Sequence, residues 1–267
     1  MCELFALSSK MPTSVKFSLE KLAQHGEDDG PQDGWGIAFY EGNDVSLFRE
    51  PKAISDSLLV RFIEQQSPPS TTIISHIRKA TKGARDLRNT HPFVRELGGR
   101  QHVFAHNGAL SGLQENMSIP LENYFPIGDT DSEVAFCILL ERLNNLWNTT
   151  KGHVPPLEAR LDLIVDFAAD LRRFGPANFL YADASTLFVH AHRRHQTDGT
   201  IRSPGLHFLQ RNCQEELIGT GVTLPAHQQE ITLVASVPLT DELWQPLGEG
   251  EIIALEAGQI IQRRPAV

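Results

Sequence analysis

Cys2 follows Met1 directly, so loss of the methionine would place a thiol and a free α-amino group on one residue. The amine of a chain terminus titrates at roughly 7.7 to 8.0 and an ordinary thiol near about 8.5, so the two groups can exchange a proton near neutral pH. A nucleophile activated by its own amine performs acyl transfer without a histidine partner. The alternative is that Cys2 is a small hydrophobic residue buried in a first strand.

The run 104–110, Phe-Ala-His-Asn-Gly-Ala-Leu, offers hydrogen-bond donors for such a reaction. Attack on a carboxamide produces an oxyanion, and donors aimed at it lower the barrier. Asn107 supplies a side-chain N–H and Gly108 an approachable backbone N–H. The alternative is a turn that ends a strand, for which Asn-Gly is a common signal.

Two charged residues stand where predicted elements end or begin. Arg78 closes the strand-like run 73–78, where its guanidinium can hold a carboxylate through two hydrogen bonds. A solvated arginine at a strand end is the alternative. Asp131 lies at the start of a predicted helix, whose N-cap we assign to Thr130 or Asp129. Capping accounts for Asp129, whereas for Asp131 two interpretations stay open: interaction with the helix dipole, or contact with the ammonium group of a ligand.

Three histidines close together, His190, His192 and His195, raise the possibility of a metal site. Alternation along a strand puts the first two on one face. No acidic or cysteine ligand follows at a familiar spacing, and two arginines lie between the second and third histidines. We therefore expect no metal, and we expect no organic cofactor either.

The elements that position these residues follow from the apolar pattern, which predicts strands towards both ends of the chain and two consecutive long helices between them. The predicted strands cover 2–9, 35–41, 44–50, 71–78, 102–106, 178–182, 186–191, 206–209, 231–236, 252–256 and 260–263, and the helices cover 131–147 and 157–174, with an earlier one from Thr13 or Ser14 to Gln24. This order predicts an α+β fold with two antiparallel sheets and helices packed outside them. We expect a single domain over residues 2–267.

Composition excludes several classes of protein. The chain has 267 residues, 40% of them hydrophobic, and a formal net charge of -9. Lys and Arg form no long run, which argues against nucleic acid as a partner. The N-terminus lacks a signal-peptide pattern, and no segment approaches the ~20 apolar residues of a membrane span. The three cysteines form no Cys-x-x-Cys pair. We expect a cytoplasmic protein without membrane contact.

Six segments together resemble the class II glutamine amidotransferases, whose glutaminase domain is an N-terminal nucleophile hydrolase. In chain order they are Met1-Cys2, Asp33-Gly34-Trp35-Gly36-Ile37, Ser75-His76-Ile77-Arg78-Lys79-Ala80-Thr81, Thr90-His91-Pro92-Phe93, His106-Asn107-Gly108 and Asp129-Thr130-Asp131-Ser132-Glu133. The resemblance covers most of residues 2 to 145, and it is greatest to the small, stand-alone bacterial members.

The resemblance implies a four-layer αββα sandwich and a role for each candidate residue. Processed Cys2 is the nucleophile, with Asn107 and the Gly108 amide as oxyanion hole. The α-carboxylate of L-glutamine is held by Arg78 and Thr81, and its α-ammonium group by Asp131. The reaction is hydrolysis of the side-chain amide to glutamate and ammonia through a γ-glutamyl thioester.

Two departures from the family pattern concern the pocket and the acceptor: Lys82 stands where relatives that make amino sugars often have His, and Glu3 where many have Gly. The length leaves no room for an acceptor domain, so a synthase that uses the ammonia would be a separate subunit. Two alternatives remain open. One is hydrolysis of other γ-glutamyl amides or peptides, and the other is a non-catalytic binding subunit that retains Met1.

Overall fold

Two large antiparallel sheets lie face to face in the computed structural model, which describes residues 2–14, 16–17, 33–66, 68–79, 84–116, 120–151, 153–196, 198–212, 217–219, 222–224 and 229–266. The strands are β1 Glu3–Thr13, β2 Lys16–Phe17, β3 Gly34–Glu41, β4 Asp44–Glu50, β5 Ser70–Arg78, β6 Phe93–Leu97, β7 Arg100–Gly108, β8 Ala177–Ala182, β9 Leu187–His190, β10 Arg194–His195, β11 Ile201–Arg202, β12 His207–Asn212, β13 Leu217–Gly219, β14 Val222–Leu224, β15 Glu230–Ala235, β16 Gln245–Pro246, β17 Ile252–Glu256 and β18 Gln259–Arg264. The helices are α1 Leu58–Gln66, α2 Leu113–Asn116, α3 Asp131–Thr149 and α4 Leu157–Arg172.

The first large sheet has seven strands in the order β16-β12-β15-β1-β5-β3-β4. Strand β1, which follows Cys2, is its central strand and is paired antiparallel on both sides. Leu4 lies opposite His76 of β5, and Ala6 lies opposite Val234 of β15. The residue proposed as nucleophile is therefore attached to the most enclosed strand of this sheet.

The second large sheet has six strands in the order β18-β17-β9-β8-β7-β6. Strand β7 ends at Asn107 and Gly108, which lie opposite Asn178 and Ala177 of β8. Two smaller sheets, β13-β14-β2 and β10-β11, lie outside the large pair.

Alternation along the strands gives both large sheets two apolar faces. In β1, Leu4 and Ala6 enter the core between the sheets, whereas Phe5 and Leu7 enter the core on the other side. This outer core includes the buried side of α1. Helices α3 and α4 cover the six-stranded sheet, with Phe104 and Phe179 among the buried residues. The layer order is thus αββα, as the resemblance implied.

Most of the predicted elements are present with small shifts at their ends. The predicted helix from Thr13 or Ser14 is wrong at its start, because Thr13 belongs to β1 and residues 16–17 form β2. The remainder of that prediction, residues 18–24, lies outside the described residues. Strand β6, the short helix α2 and the short strands β2, β10, β11, β13, β14 and β16 were not predicted. Among the described residues, no helix is long and apolar enough to cross a membrane.

Candidate active site

Cys2 lies at the end of the seven-stranded sheet, one residue before β1 begins, and its side chain is partly exposed. Its thiol meets the backbone of Lys79, which follows the adjacent strand β5. The Cys2 Sγ lies 3.3 Å from the Lys79 carbonyl oxygen, to which it donates, and 3.3 Å from the Lys79 nitrogen, which donates to it. Cys2 is therefore held at the end of a central strand, beside a pocket, and is not enclosed in the core.

Burial of the sulfur raises the pKa of the Cys2 thiol above its ordinary value, because desolvation disfavours the thiolate. The hydrogen bond from the Lys79 backbone acts in the opposite direction and is the smaller effect. A thiol with a raised pKa is mostly protonated at neutral pH. As a nucleophile it therefore requires a neighbouring base.

Asn107 reaches Cys2 from the opposite sheet. Its Nδ2 donates to the Cys2 carbonyl oxygen at 2.6 Å. Asn107 and Gly108 are the last two residues of β7, so this Asn-Gly pair is part of a strand and does not form a hairpin turn. A Cβ at residue 108 would lie 1.8 Å from the Pro176 carbonyl oxygen, so only glycine fits between these backbones.

Asn178 supports this strand end from behind. Its side chain is fully buried, and its Nδ2 donates to the carbonyl oxygens of Asn107 at 3.1 Å and Arg193 at 2.7 Å. Its Oδ1 accepts from the backbone nitrogen of His192 at 2.7 Å. These bonds fix the backbone that carries Asn107 before any ligand binds.

Arg78 ends β5, as the sequence predicted, but it is not a solvated strand-end residue. Only 4% of its surface is exposed, and its backbone lies opposite Gly34 of β3. Burying a guanidinium is costly unless its charge is compensated. A buried arginine in a pocket wall is consistent with a carboxylate-binding role.

Asp131 is the first residue of α3, and Thr130 is the N-cap, whose side chain accepts from the Glu133 nitrogen. The Asp131 Oδ2 accepts from the Leu110 nitrogen at 2.7 Å, and Oδ1 accepts from the Ser132 hydroxyl at 3.3 Å. Each carboxylate oxygen has a second lone pair for a ligand. The two bonds fix the carboxylate relative to the loop that leaves β7.

A small open pocket connects these groups. Its walls carry cationic, anionic and neutral polar groups, and the lining residues are Cys2, His76, Arg78, Lys79, His91, His106, Gly108, Thr130, Asp131 and Ser132. An arginine and an aspartate in one small pocket with a thiol match a zwitterionic ligand that has a further reactive group.

The structure brings together five of the six predicted site residues. Cys2, Arg78, Gly108 and Asp131 line the pocket, and Asn107 bonds to Cys2 beside it. The sixth, Thr81, and the neighbouring Lys82 lie outside the described residues. Glu3, the other departure from the family pattern, lies away from this pocket, and its carboxylate pairs with the guanidinium of Arg194 at 3.0 Å.

Three histidines in the pocket wall were given no role by the sequence. His76, His91 and His106 belong to the six segments that resemble the family, and this membership was the signal that could have pointed to them. Sequence alone does not show that the three side chains meet. Burial is the main cause that lowers the pKa of each, to about 3 for His76. The wall beside the thiol is therefore made of neutral imidazoles.

The histidines first considered as metal ligands have other contacts. His190 lies in β9, and its Nδ1 is 2.6 Å from the Ala177 carbonyl oxygen. His192 lies 3.8 Å from Glu249, measured from Nε2 to the carboxylate. In the part of the chain that the structure describes, no group of three or more His, Cys, Asp or Glu side chains is arranged to hold a metal ion.

Comparison with known proteins identifies the family of the chain. The family model of class II glutamine amidotransferases matches residues 1–266. The Escherichia coli (strain K12) protein YafJ, named as a glutamine amidotransferase, is 35% identical over 94% of this chain and 96% of its own length. The chain belongs to the class II glutamine amidotransferase family.

Solved structures of other proteins have a similar fold. The crystal structure of a predicted glutamine amidotransferase from Pseudomonas aeruginosa PA01 has 31% identity and a TM-score of 0.71, covering 98% of this chain and 100% of that one. The glutamine phosphoribosylpyrophosphate amidotransferase of B. subtilis has 16% identity and a TM-score of 0.60, covering 100% of this chain and 49% of its own. At that identity the second likeness concerns the fold alone.

Proposed function

We propose that the protein hydrolyses the side-chain amide of L-glutamine to glutamate and ammonia through a γ-glutamyl thioester on Cys2. The observation that carries the proposal is the layout of one pocket. The Cys2 thiol, the buried Arg78 and the helix-start Asp131 line this pocket, and the Asn107 side-chain amide donates to the Cys2 carbonyl oxygen beside it. These groups complement an amide and an α-amino acid in one ligand.

Acylation begins when the Cys2 sulfur attacks the amide carbon. The raised pKa of the thiol requires a base, and the α-amine of Cys2, exposed by loss of Met1, supplies one on the same residue. The carbonyl oxygen becomes an oxyanion, which the Asn107 Nδ2 and the Gly108 N–H stabilise. When the tetrahedral intermediate collapses, the C–N bond breaks and ammonia leaves. Water then hydrolyses the thioester.

Recognition of the amino-acid end uses opposite charges. Arg78 holds the α-carboxylate, together with Thr81, which lies outside the described residues. Asp131 holds the α-ammonium group, since its carboxylate is already oriented by Leu110 and Ser132. Charge-assisted hydrogen bonds of this kind contribute about 1.5–3 kcal/mol each. The pair therefore favours a free α-amino acid over a peptide-linked residue.

The decisive experiment measures ammonia and glutamate released from L-glutamine by the purified protein and by the Cys2→Ala variant. We expect stoichiometric release by the wild type and none by the variant, whose circular dichroism and melting temperature should match the wild type. Intact-mass measurement establishes whether Met1 is absent from the active form. Glutamine hydrolysis that persists in folded Cys2→Ala protein would contradict the proposal.

A series of γ-glutamyl dipeptides tests the substrate. Arg78 and Asp131 recognise only the glutamyl part, so rates on these compounds compared with L-glutamine report on the leaving-group side of the pocket. We expect the highest kcat/KM for L-glutamine. A dipeptide hydrolysed faster than glutamine would assign the activity to γ-glutamyl compounds and leave the role of Cys2 unchanged.

A further inference from the structure

The segment that carries His91 is fixed by contacts on both of its sides. The Arg49 guanidinium, through one terminal nitrogen, donates to the carbonyl oxygens of Thr90 at 2.7 Å and Pro92 at 3.4 Å. Upstream, the buried Asn89 accepts from the Asp129 nitrogen at 2.8 Å. The segment around His91 is therefore held by Arg49 of the seven-stranded sheet and by the loop that precedes α3.

Gly36 of β3 gives His91 the room that this position needs. A Cβ on residue 36 would lie 2.2 Å from the His91 carbonyl oxygen and 2.8 Å from Cγ of Arg49. Because the first obstacle is backbone, a side chain at residue 36 would displace the His91 segment. Two separate sequence segments, 33–37 and 90–93, thus form one packing unit.

The imidazole of His91 is buried between two rings. Only 5% of the residue is exposed, and its ring centroid lies 4.2 Å from that of His76 and 4.5 Å from that of Phe93. Neither ring nitrogen of His91 has a hydrogen-bond partner among the described residues. A buried polar group left without a partner costs about 1–3 kcal/mol. Because His91 also lines the pocket, a bound ligand is the natural partner.

The chemical state of His91 limits what that partner is. Burial lowers its pKa well below the ordinary value, and the nearby His76 and His106 and the guanidiniums of Arg78 and Arg49 lower it further. The ring is therefore neutral and presents one acceptor nitrogen and one N–H donor. It accepts a hydrogen bond from a ligand N–H, and it has no imidazolium proton to transfer.

We propose that His91 is a further substrate-binding residue whose neutral ring accepts a hydrogen bond from the carboxamide nitrogen of the substrate and from the ammonia that replaces it. This inference rests on the proposed function, which gives partners to the α-carboxylate, the α-ammonium group and the oxyanion but none to the amide NH₂. During acylation the S–C bond forms, the C–N bond breaks and the thiol proton ends on the departing nitrogen. His91 receives no proton in this step, and the nitrogen departs as NH₃.

The test compares a substrate that presents an N–H with one that does not: L-glutamine and the γ-methyl ester of L-glutamate. The variant is His91→Phe, which keeps a ring between His76 and Phe93 and removes both nitrogens. We expect its kcat/KM for glutamine to fall by about 10- to 100-fold, corresponding to the loss of one buried hydrogen bond. For the ester we expect a fall of less than about threefold.

Phe93→Leu is the matched control, because it alters the same ring stack and removes no polar atom. We expect it to change both substrates by one common factor. His91→Leu also removes both nitrogens and replaces His91→Phe if the larger ring prevents folding, as judged by circular dichroism. Affinities of the two compounds for the Cys2→Ala protein, with and without the His91 substitution, repeat the comparison without turnover.

An equal loss on glutamine and ester in the His91 variants, or no loss on either, overturns the proposal and assigns His91 to packing. That outcome differs from failure of the proposed function, in which wild-type protein releases no ammonia from glutamine or Cys2→Ala protein still does. A selective loss on glutamine supports both.

Discussion

Two buried polar clusters, one at the six-stranded sheet and one where both large sheets contribute residues, differ in how completely their groups are paired. At the turn between β8 and β9, Arg160 bonds to Asp183 at 2.5 Å, to Thr186 at 3.0 Å and to the Pro155 carbonyl oxygen at 3.0 Å. The second oxygen of Asp183 accepts from the backbone nitrogens of Ser185 and Thr186. In this scaffold cluster, each group we name binds to another group of the protein.

The pocket cluster at Cys2 is different. His91 has two ring nitrogens without a partner among the described residues, and Asp131 keeps acceptor capacity beyond its two bonds. Both clusters are buried and polar, but one is satisfied internally, whereas the other keeps hydrogen-bonding capacity for the ligand that we propose. The comparison indicates that incomplete pairing, more than polarity or burial, identifies the functional region of this fold. The following predictions test that difference from its largest expected effect to its smallest.

The largest effect belongs to the scaffold cluster. Arg160→Met leaves the carboxylate of Asp183, which is fully buried, without its ion-pair partner. We expect the free energy of unfolding to fall by about 3–5 kcal/mol, because an uncompensated charge is left in the interior. Urea denaturation measures this, and kcat per folded molecule should be unchanged. The control is Arg264→Met, which removes an exposed pair with Glu158 and should cost less than about 1 kcal/mol.

In the pocket cluster we expect a large effect on kcat and a small effect on stability. Asn107→Ala should lower kcat by about 100- to 1,000-fold, the usual cost of one oxyanion donor, and change KM little. Stability should change by less than about 1 kcal/mol, since the bond lost is to the partly exposed Cys2. Alkylation of Cys2 by iodoacetamide requires no oxyanion hole, so its rate should be retained. A large loss of stability with unchanged kcat would mean that Asn107 has a structural role, as the scaffold cluster does.

The smallest effect concerns pH and applies to one histidine of the pocket wall and one outside both clusters. Burial lowers the pKa of His76 in the pocket wall and of His190 in β9 to about 3 in each case. Between pH 6.5 and about 3 the unfolded chain binds protons that the folded protein does not, so stability falls as pH decreases and is fully present above pH 6.5.

Each of these histidines contributes a slope of about 1.4 kcal/mol per pH unit to the free energy of unfolding in that window. We expect His76→Gln and His190→Gln to flatten the slope measured by urea denaturation by that amount. An unchanged slope in His76→Gln would mean that His76 is protonated in the folded protein. The neutral wall inferred for the pocket would then be wrong.

The sequence predicted most of the fold because the apolar pattern changes clearly from strands to helices and back. Strand β6 was missed since its sequence, Phe-Val-Arg-Glu-Leu, carries adjacent charges. The helix expected from Thr13 failed because the first strand, predicted to end at residue 9, extends through Pro12 to Thr13. In the structure β1 continues beyond an irregularity in its pairing with β5 between Ser8 and Thr13. Proline is tolerated at such positions, where no ladder hydrogen bond is required of it.

The sequence could predict those site residues whose side chains have a recognisable functional group. Cys2, Asn107 and Asp131 have recognisable donor, acceptor or nucleophilic groups, and the order of the segments located them. The role of Gly36 and His91 depends on how closely two backbones approach across space, and neither residue type nor spacing encodes that distance. Likewise, the support of Asn107 by Asn178 depends on the register of β7 and β8.

The position of β1 in the middle of the seven-stranded sheet has a consequence for how activity is lost on heating. Residues Phe5 to Ser8 are paired with β5 on one side and β15 on the other, so their amide hydrogens exchange with solvent only when the sheet as a whole opens. Cys2 is one residue from this strand, so we expect it to keep its position at the pocket until the sheet opens. Thermal inactivation and global unfolding should share one midpoint.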